Sequence, residues 1–178
     1  MNSELKRICK TLRLAYVADI VDTIPFENPE QYLESLLHRE LQLREEAKAE
    51  RLIKKARFLS KKTLEAFQWS EQVRFPPHID AKELCELHFI NQHENVILTG
   101  SPGTGKTLLA TGLGRKACQN GYEVRFYRVS DLVDTLERVW KEGKLQQFRN
   151  KFKKVDLIIL DELCEALHNS SYGKLIIM

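Results

Sequence analysis

Residues 95–107 read N-V-I-L-T-G-S-P-G-T-G-K-T, an apolar run that leads into a glycine-rich turn. The apolar run is short and rich in β-branched and aliphatic residues, which predicts a buried strand. The turn, residues 100–107, matches the pattern G-x-x-x-x-G-K-S/T in full. A helical pattern follows and ends at the Asn120-Gly121 pair, a common helix stop. Strand, glycine-rich loop and helix in this order predict a phosphate-binding P-loop.

The spacing inside this loop suits the binding of a nucleotide triphosphate. Glycines let the backbone wrap closely, so that successive N–H groups point at phosphate oxygens. The Lys106 ammonium is expected at the β- and γ-phosphates, and the Thr107 hydroxyl is expected to be a Mg²⁺ ligand. The helix N-terminus behind the loop also favours anions. We therefore expect ATP–Mg²⁺ to contact Gly100, Ser101, Pro102, Gly103, Thr104, Gly105, Lys106 and Thr107.

A second apolar run, residues 157–162, reads L-I-I-L-D-E and completes the predicted site. Such a strand delivers Asp161 at its C-terminal end, where ligands bind in open α/β sheets. Asp161 is expected to hold Mg²⁺ through water, and Glu162 to orient and deprotonate the attacking water. Glu162 and Lys106 are therefore the predicted catalytic residues. An ordinary buried strand that ends in two surface acids is the alternative, but its position downstream of a P-loop favours an ATPase site.

The remaining patterns set the predicted fold. A further strand over residues 123–129 lies between the two apolar runs, so strands and helices alternate as in an α/β domain with a parallel sheet. The Pro76-Pro77 pair is the clearest break in the chain. We predict a helical region over residues 1–75, a candidate for binding DNA or a partner, followed by a partial P-loop ATPase domain over residues 76–178.

Composition is that of a soluble globular protein, with 43% hydrophobic and 30% charged residues. No apolar run is long enough to cross a bilayer, and the polar N-terminus lacks a signal-peptide pattern, so a cytoplasmic location and no membrane partner are expected. The cysteines are far apart, which argues against a disulfide framework or a zinc site. They are Cys9, Cys85, Cys118 and Cys164.

Two segments concentrate positive charge, although the net charge is only +3. Residues 39–62, predicted to be helical, carry nine Lys/Arg against four Glu. Residues 141–154 carry six Lys/Arg against one Glu. Basic density of this kind favours contact with nucleic-acid phosphates, and a solvated surface face is the alternative for both segments.

Together these segments resemble a known family. The chain is similar to the IstB-like ATP-binding proteins, helper ATPases of insertion-sequence transposases, which are similar in turn to the DnaC helicase loaders. The likeness extends to about Leu163. Besides the nucleotide motifs it includes residues 12–14, 40–44, 62–67, 94–100, 121–126 and 131–136.

The resemblance implies an AAA+ ATPase domain behind a small helical region. It also implies an ATP-dependent oligomer on duplex DNA, with the transposase of the same element as a partner. Lys106, Thr107, Asp161 and Glu162 would take the roles given above. The basic helix at residues 39–62 becomes the first candidate DNA contact, with a weaker candidate at Lys151, Lys153 and Lys154.

The sequence departs from the family after the Asp-Glu pair. The family normally has Gly where Cys164 stands, and residues 165–171 do not follow its pattern. Family members continue with a sensor strand and an arginine that reaches the neighbouring subunit's nucleotide. In the sheets of this family the sensor strand lies between the P-loop strand and the Asp-Glu strand. We therefore expect a C-terminally incomplete sheet, with this slot open and residues 175–178 frayed, or with that tail in the slot. ATP is then expected to be bound but hydrolysed poorly or not at all.

Three functions follow as alternatives. The leading one is an ATP-binding helper of insertion-sequence transposition, in a truncated copy with impaired hydrolysis. The second is a DnaC-like helicase loader in DNA replication, whose partner is a replicative helicase. The third is a non-catalytic remnant that binds DNA or a full-length homologue through the helical region.

Overall fold

The computed structural model describes residues 3–26, 28–70, 73–77 and 79–162, together with the backbone of residues 173–177. The contacts between residues divide the chain into two compact units, Met1–Glu50 and Arg51–Met178. The boundary predicted from the sequence lay later, at the break before Pro76. The division falls earlier because Leu52, Phe58 and Phe75 all pack against the core of the second unit.

The first unit is helical. It contains α1 (Ser3–Thr11), α2 (Val17–Ile20) and most of α3 (Pro29–Ala56). Its small core holds the buried side chains of Cys9, Val17 and Leu36. The Asn28 side chain accepts a hydrogen bond from the N–H of Gln31 at 2.9 Å, which caps the start of α3. The expected helical N-terminal region is confirmed.

The long helix α3 ends at Ala56, before the end of the predicted basic helix over residues 39–62. Arg57 has a φ of +61°, the left-handed conformation that commonly terminates helices. The prediction was therefore too long at its C-terminal end, and Lys61 and Lys62 lie outside the helix.

The second unit is an α/β fold. Its described strands are β1 (Val96–Gly100), β2 (Val124–Arg128), β3 (Leu157–Asp161) and β4 (Gly173–Ile177). Its described helices are α4 (Ala81–Glu86), α5 (His88–Asn91), α6 (Lys106–Gln119), α7 (Val129–Lys141) and α8 (Leu145–Phe152), with a 3₁₀ turn at Leu64–Ala66. The predicted α/β class is confirmed. Among the described residues of both units, no helix is both long and apolar enough to cross a membrane.

The sheet has the order β1–β4–β3–β2. Strands β2 and β3 pair in parallel, as predicted. Strand β4 lies antiparallel between β1 and β3, with Ile177 opposite both Val96 and Ile159. The expectation of an open slot with a frayed tail was therefore wrong, and the alternative, a tail that fills the slot, is confirmed. An antiparallel return needs only a loop, whereas a parallel one needs a longer crossover.

Helix α6 forms the centre of the core in the second unit. Leu113 and Cys118 on this helix are fully buried, and burial raises the pKa of the Cys118 thiol to about 11. Gly112 allows a close approach, because a Cβ there would lie 2.9 Å from the Leu64 backbone. The segment after Leu64 is therefore held against α6, next to the predicted P-loop. Cys164 and residues 165–171, where the sequence departs from the family pattern, lie outside the described residues.

Candidate nucleotide-binding site

The predicted P-loop connects the end of β1 to the start of α6. Gly103 and Gly105 have φ values of +83° and +87°, in the left-handed region that favours glycine. Gly105 precedes α6, and its carbonyl accepts the N–H of Leu109 at 2.9 Å. The first N–H groups of a helix have no partner within the helix, so α6 presents donors to this loop. The strand–loop–helix context that a P-loop requires is present.

The Lys106 ammonium is held by the loop itself. Its Nζ donates to the carbonyl oxygens of Gly100 and Ser101, each at 2.8 Å. The Thr104 hydroxyl also donates to the Ser101 carbonyl, at 2.9 Å. These neutral acceptors keep the cation within the loop. A phosphate oxygen is a stronger, charged acceptor, so an incoming phosphate can replace them.

The structure brings together the two residues predicted to bind Mg²⁺. The Thr107 hydroxyl, in the first turn of α6, donates to Oδ2 of Asp161 at 2.9 Å. Asp161 ends β3 and is only 5% exposed. Oxygen ligands from a hydroxyl and a carboxylate suit Mg²⁺, a hard cation that binds few protein groups directly. The donor set at this point therefore fits the ion.

Glu162 follows directly after β3, with a φ of +62°. Its carboxylate Oε2 lies 3.6 Å from Nε of Arg128, and both side chains are partly exposed. Arg128 ends β2 and lies opposite Asp161 in the parallel register. The contact of Arg128 with Glu162 was not predicted from the sequence. Its only signal in the sequence is its position at the carboxyl end of a strand, where ligand-contacting residues of parallel sheets collect.

A cavity of about 390 Å³ adjoins the P-loop. Its walls include Phe67, Val73, Arg74 and Leu98, and it opens onto Lys106. The Phe67 ring rests on the loop, since a Cβ added to Gly105 would lie 3.2 Å from it. The apolar side chains among these wall residues, together with the adjacent cation, suit a ligand with a flat apolar part and a charged part.

The predicted DNA contacts lie in both units, and Arg44 and Lys55 are among the cations that are already paired. Arg44 Nε lies 2.6 Å from Glu40 Oε1 in the first unit. Lys55 Nζ lies 2.6 Å from Glu123 Oε1 in the second unit, and this pairing is the main reason that the pKa of Glu123 is lowered. The weaker candidates are all exposed at or after the end of α8. They are Lys151, Lys153 and Lys154.

Comparison with known proteins points to one family. The family model described as IstB-like ATP binding protein matches residues 22–176. A Geobacillus stearothermophilus protein named for insertion sequence IS5376 and ATP binding is 35% identical, covering 75% of this chain and 53% of that protein. A Pseudomonas aeruginosa protein named for insertion sequence IS21 and ATP binding is 37% identical, in a match that covers 76% of this chain and 51% of that protein. This chain thus spans about half the length of these two relatives.

A more distant similarity reaches a replication protein. The chromosomal replication initiator protein DnaA of Aquifex aeolicus is 29% identical over 132 residues, which cover 74% of this chain but only 33% of DnaA.

Proposed function

This chain belongs to the family of IstB-like ATP-binding proteins, and on that premise we propose that it binds ATP–Mg²⁺ as a helper of insertion-sequence transposition. The observation that carries the proposal is the meeting of Lys106, Thr107 and Asp161 at one loop. A cation, a hydroxyl and a buried carboxylate are the groups that a triphosphate and its metal require. Relatives named for both ATP binding and an insertion sequence support the biological role.

Each part of the site has a proposed task. Residues 100–107 wrap the phosphates, and Lys106 exchanges its backbone carbonyl partners for phosphate oxygens. Thr107 would hold Mg²⁺ directly and Asp161 would hold it through water, and the ion would supply positive charge that offsets the charge of the phosphates. The cavity beside Phe67 would take the base of the nucleotide.

Calorimetric titration of the 178-residue chain with ATP and Mg²⁺ tests this proposal. We expect saturable binding in the micromolar range that is lost in Lys106→Ala. Lys82→Ala is the matched control, because Lys82 is a highly exposed lysine in α4, away from the loop. A folded wild-type chain that binds no ATP would contradict the proposal and favour the non-catalytic remnant.

We propose that hydrolysis, in contrast to binding, is weak. Glu162 is the residue expected to orient and deprotonate the attacking water. Its carboxylate faces the Arg128 guanidinium at 3.6 Å, an ion pair that competes with this task. Steady-state ATP turnover is the test, with duplex DNA present and Glu162→Gln as the comparison. Rapid turnover that Glu162→Gln abolishes would refute weak hydrolysis and leave the binding proposal intact.

For duplex DNA, we propose contacts from the exposed basic residues of α3, with Lys151, Lys153 and Lys154, at and after the end of α8, in a lesser role. Arg39 and Lys48 are exposed on α3. A plot of the logarithm of the binding constant against the logarithm of the salt concentration has a slope that depends on the number of phosphate contacts, and each contact removed should reduce it by about one unit. Fluorescence anisotropy measures this slope for Arg39→Ala and Lys48→Ala, with Lys82→Ala as the control. An unchanged slope in both variants would exclude α3 as the DNA contact.

The proposed protein partners are the transposase of the same element and further copies of this chain in an ATP-dependent oligomer. Co-purification separates this role from that of a helicase loader. Recovery of the transposase supports the transposition role, whereas recovery of a replicative helicase supports the loader.

A further inference from the structure

An exposed line of side chains runs along α3 within the first unit. It consists of Glu30, Leu33, Leu37, Leu41 and Arg44, called here the α3 line. The three leucines expose 54%, 41% and 56% of their surface. Steps of three or four residues place all five side chains on one face of a helix. Consecutive exposed leucines on one face form an apolar patch, and such patches mark interaction sites.

The α3 line has a symmetric spacing. The steps from Glu30 to Arg44 are three, four, four and three residues, so the line is symmetric about Leu37. Two copies of α3 related by a two-fold axis at Leu37 would therefore meet as antiparallel helices. Leu37 would face Leu37 of the second copy, Leu33 would face Leu41, and Glu30 would face Arg44. A two-fold interface of this kind uses the same patch on both subunits.

Charge selects the antiparallel direction. In that direction the carboxylate of Glu30 meets the guanidinium of Arg44 at both ends of the leucine contact. In a parallel pair, Glu30 would face Glu30 and Arg44 would face Arg44, and like charges oppose association. We propose that the α3 line is an interface through which two copies of this chain pair as antiparallel helices, without a need for ATP.

The Arg44 side chain is held in place within its own unit. Its Nε donates to Oε1 of the buried Glu40 at 2.6 Å, and the side chain remains 42% exposed. A guanidinium has further donors on its terminal nitrogens, which can bind a second carboxylate. Glu40 is itself fixed by the backbone N–H groups of residues 15–17. Because the arginine is held in place before pairing, less side-chain freedom is lost on contact.

The interface is small. From Glu30 to Arg44 the helix is about 21 Å long, at about 1.5 Å for each residue. Small interfaces give weak complexes, so pairing should depend on protein concentration. It is also distinct from the proposed ATP-dependent oligomer, because Lys106 and the nucleotide play no part in it.

Sedimentation velocity over about a hundredfold range of concentration, without nucleotide, is the first test. We expect a monomer–dimer equilibrium that Leu37→Asp shifts to monomer throughout the range. Ser35→Asp is the matched control, since Ser35 is exposed on α3 but off the line. Circular dichroism checks that both variants keep their helices. Lys106→Ala should pair like the wild type. A wild-type chain that stays monomeric, or a dimer that persists in Leu37→Asp, would overturn the proposal.

Oxidative cross-linking tests the register. Leu37→Cys should form a disulfide-linked dimer, because position 37 faces itself across the axis. Leu33→Cys alone should not, since the two copies of position 33 would be about 12 Å apart along the helix, beyond disulfide reach. A mixture of Leu33→Cys and Leu41→Cys should link, and the wild type reports any linkage through native thiols. Equal linkage of Leu33→Cys and Leu37→Cys would exclude the antiparallel pair.

Discussion

Glu40 in the first unit and Lys106 in the second are both charged side chains held by backbone polar groups. In the first unit, the Glu40 carboxylate accepts the N–H groups of residues 15–17 at 2.7, 2.7 and 2.8 Å. In the second unit, the Lys106 ammonium donates to the carbonyls of Gly100 and Ser101, each at 2.8 Å. Both charges are satisfied by the same kind of partner, yet one is structural and the other is placed to bind a ligand.

Burial explains the difference. Glu40 is 2% exposed, so no ligand reaches its carboxylate, and its hydrogen bonds hold the start of α2 to α3. Lys106 is only partly buried and borders the cavity at the P-loop. Its carbonyl partners are neutral and flank an anion-binding helix terminus, so a phosphate can replace them. A charge held by backbone groups is therefore functional where a stronger partner has access to it.

The largest expected effect comes from Lys106→Ala. Loss of two charge-assisted contacts to phosphate should weaken ATP binding by about a hundredfold. The free energy of unfolding should stay nearly unchanged, because the neutral carbonyls that lose the lysine are accessible to water. Calorimetry and urea unfolding of the same preparation measure the two quantities. A large loss of stability with normal ATP affinity would give Lys106 the role assigned to Glu40.

The converse effect is expected for Glu40→Gln. The amide puts an NH₂ group where a carboxylate oxygen faces backbone donors, so the free energy of unfolding should fall by about 2 kcal/mol. ATP affinity should be unchanged. Urea unfolding measures the loss, with Glu45→Gln, an exposed neighbour on α3, as the control. Equal stability of the two variants would show that the buried carboxylate does not hold this unit together.

A smaller effect is expected for Thr107→Val. The variant removes the hydroxyl that would bind the metal and that bonds Asp161 at 2.9 Å. ATP affinity measured with Mg²⁺ should fall by about tenfold, with little change when the metal is chelated. Thr107→Ser keeps the hydroxyl and should bind normally. A loss of equal size with and without Mg²⁺ would remove Thr107 from the metal site.

A further expected effect is a dependence of stability on pH. Burial alone would raise the pKa of Glu40, but the Arg44 guanidinium and three backbone N–H groups outweigh it and hold that pKa below its ordinary value. The stabilisation is therefore complete above the ordinary value near 4.5 and is lost as pH falls through the lower folded-state pKa. Urea unfolding measured from neutral to acidic pH should show the free energy of unfolding of the wild type falling toward that of Glu40→Gln. A difference in free energy between the two proteins that stays constant with pH would contradict the lowered pKa of Glu40.

Short-range features of this protein could be predicted from its sequence. The P-loop, the helix after it and the apolar strand before Asp161 depend on residues close together in the chain, where backbone geometry and periodicity act directly. The α/β class follows from their order. The ion pair of Glu40 with Arg44 is also short-range, since the two residues are four apart on one helix. The pairing of Lys55 could not be read in this way, because its partner Glu123 lies 68 residues away in the chain.

The hydrogen bonds between distant residues were decided by the tertiary structure, although the sequence already indicated that Thr107 and Asp161 serve one metal site. Thr107 and Asp161 are 54 residues apart, and Glu40 meets the N–H of Ala15 from 25 residues away. The antiparallel direction of β4 likewise depends on which neighbours its strand edges find. Local propensities carry no information about such partners, because they are selected by the packing of whole elements, whereas a P-loop is built from eight consecutive residues whose own backbone forms the site.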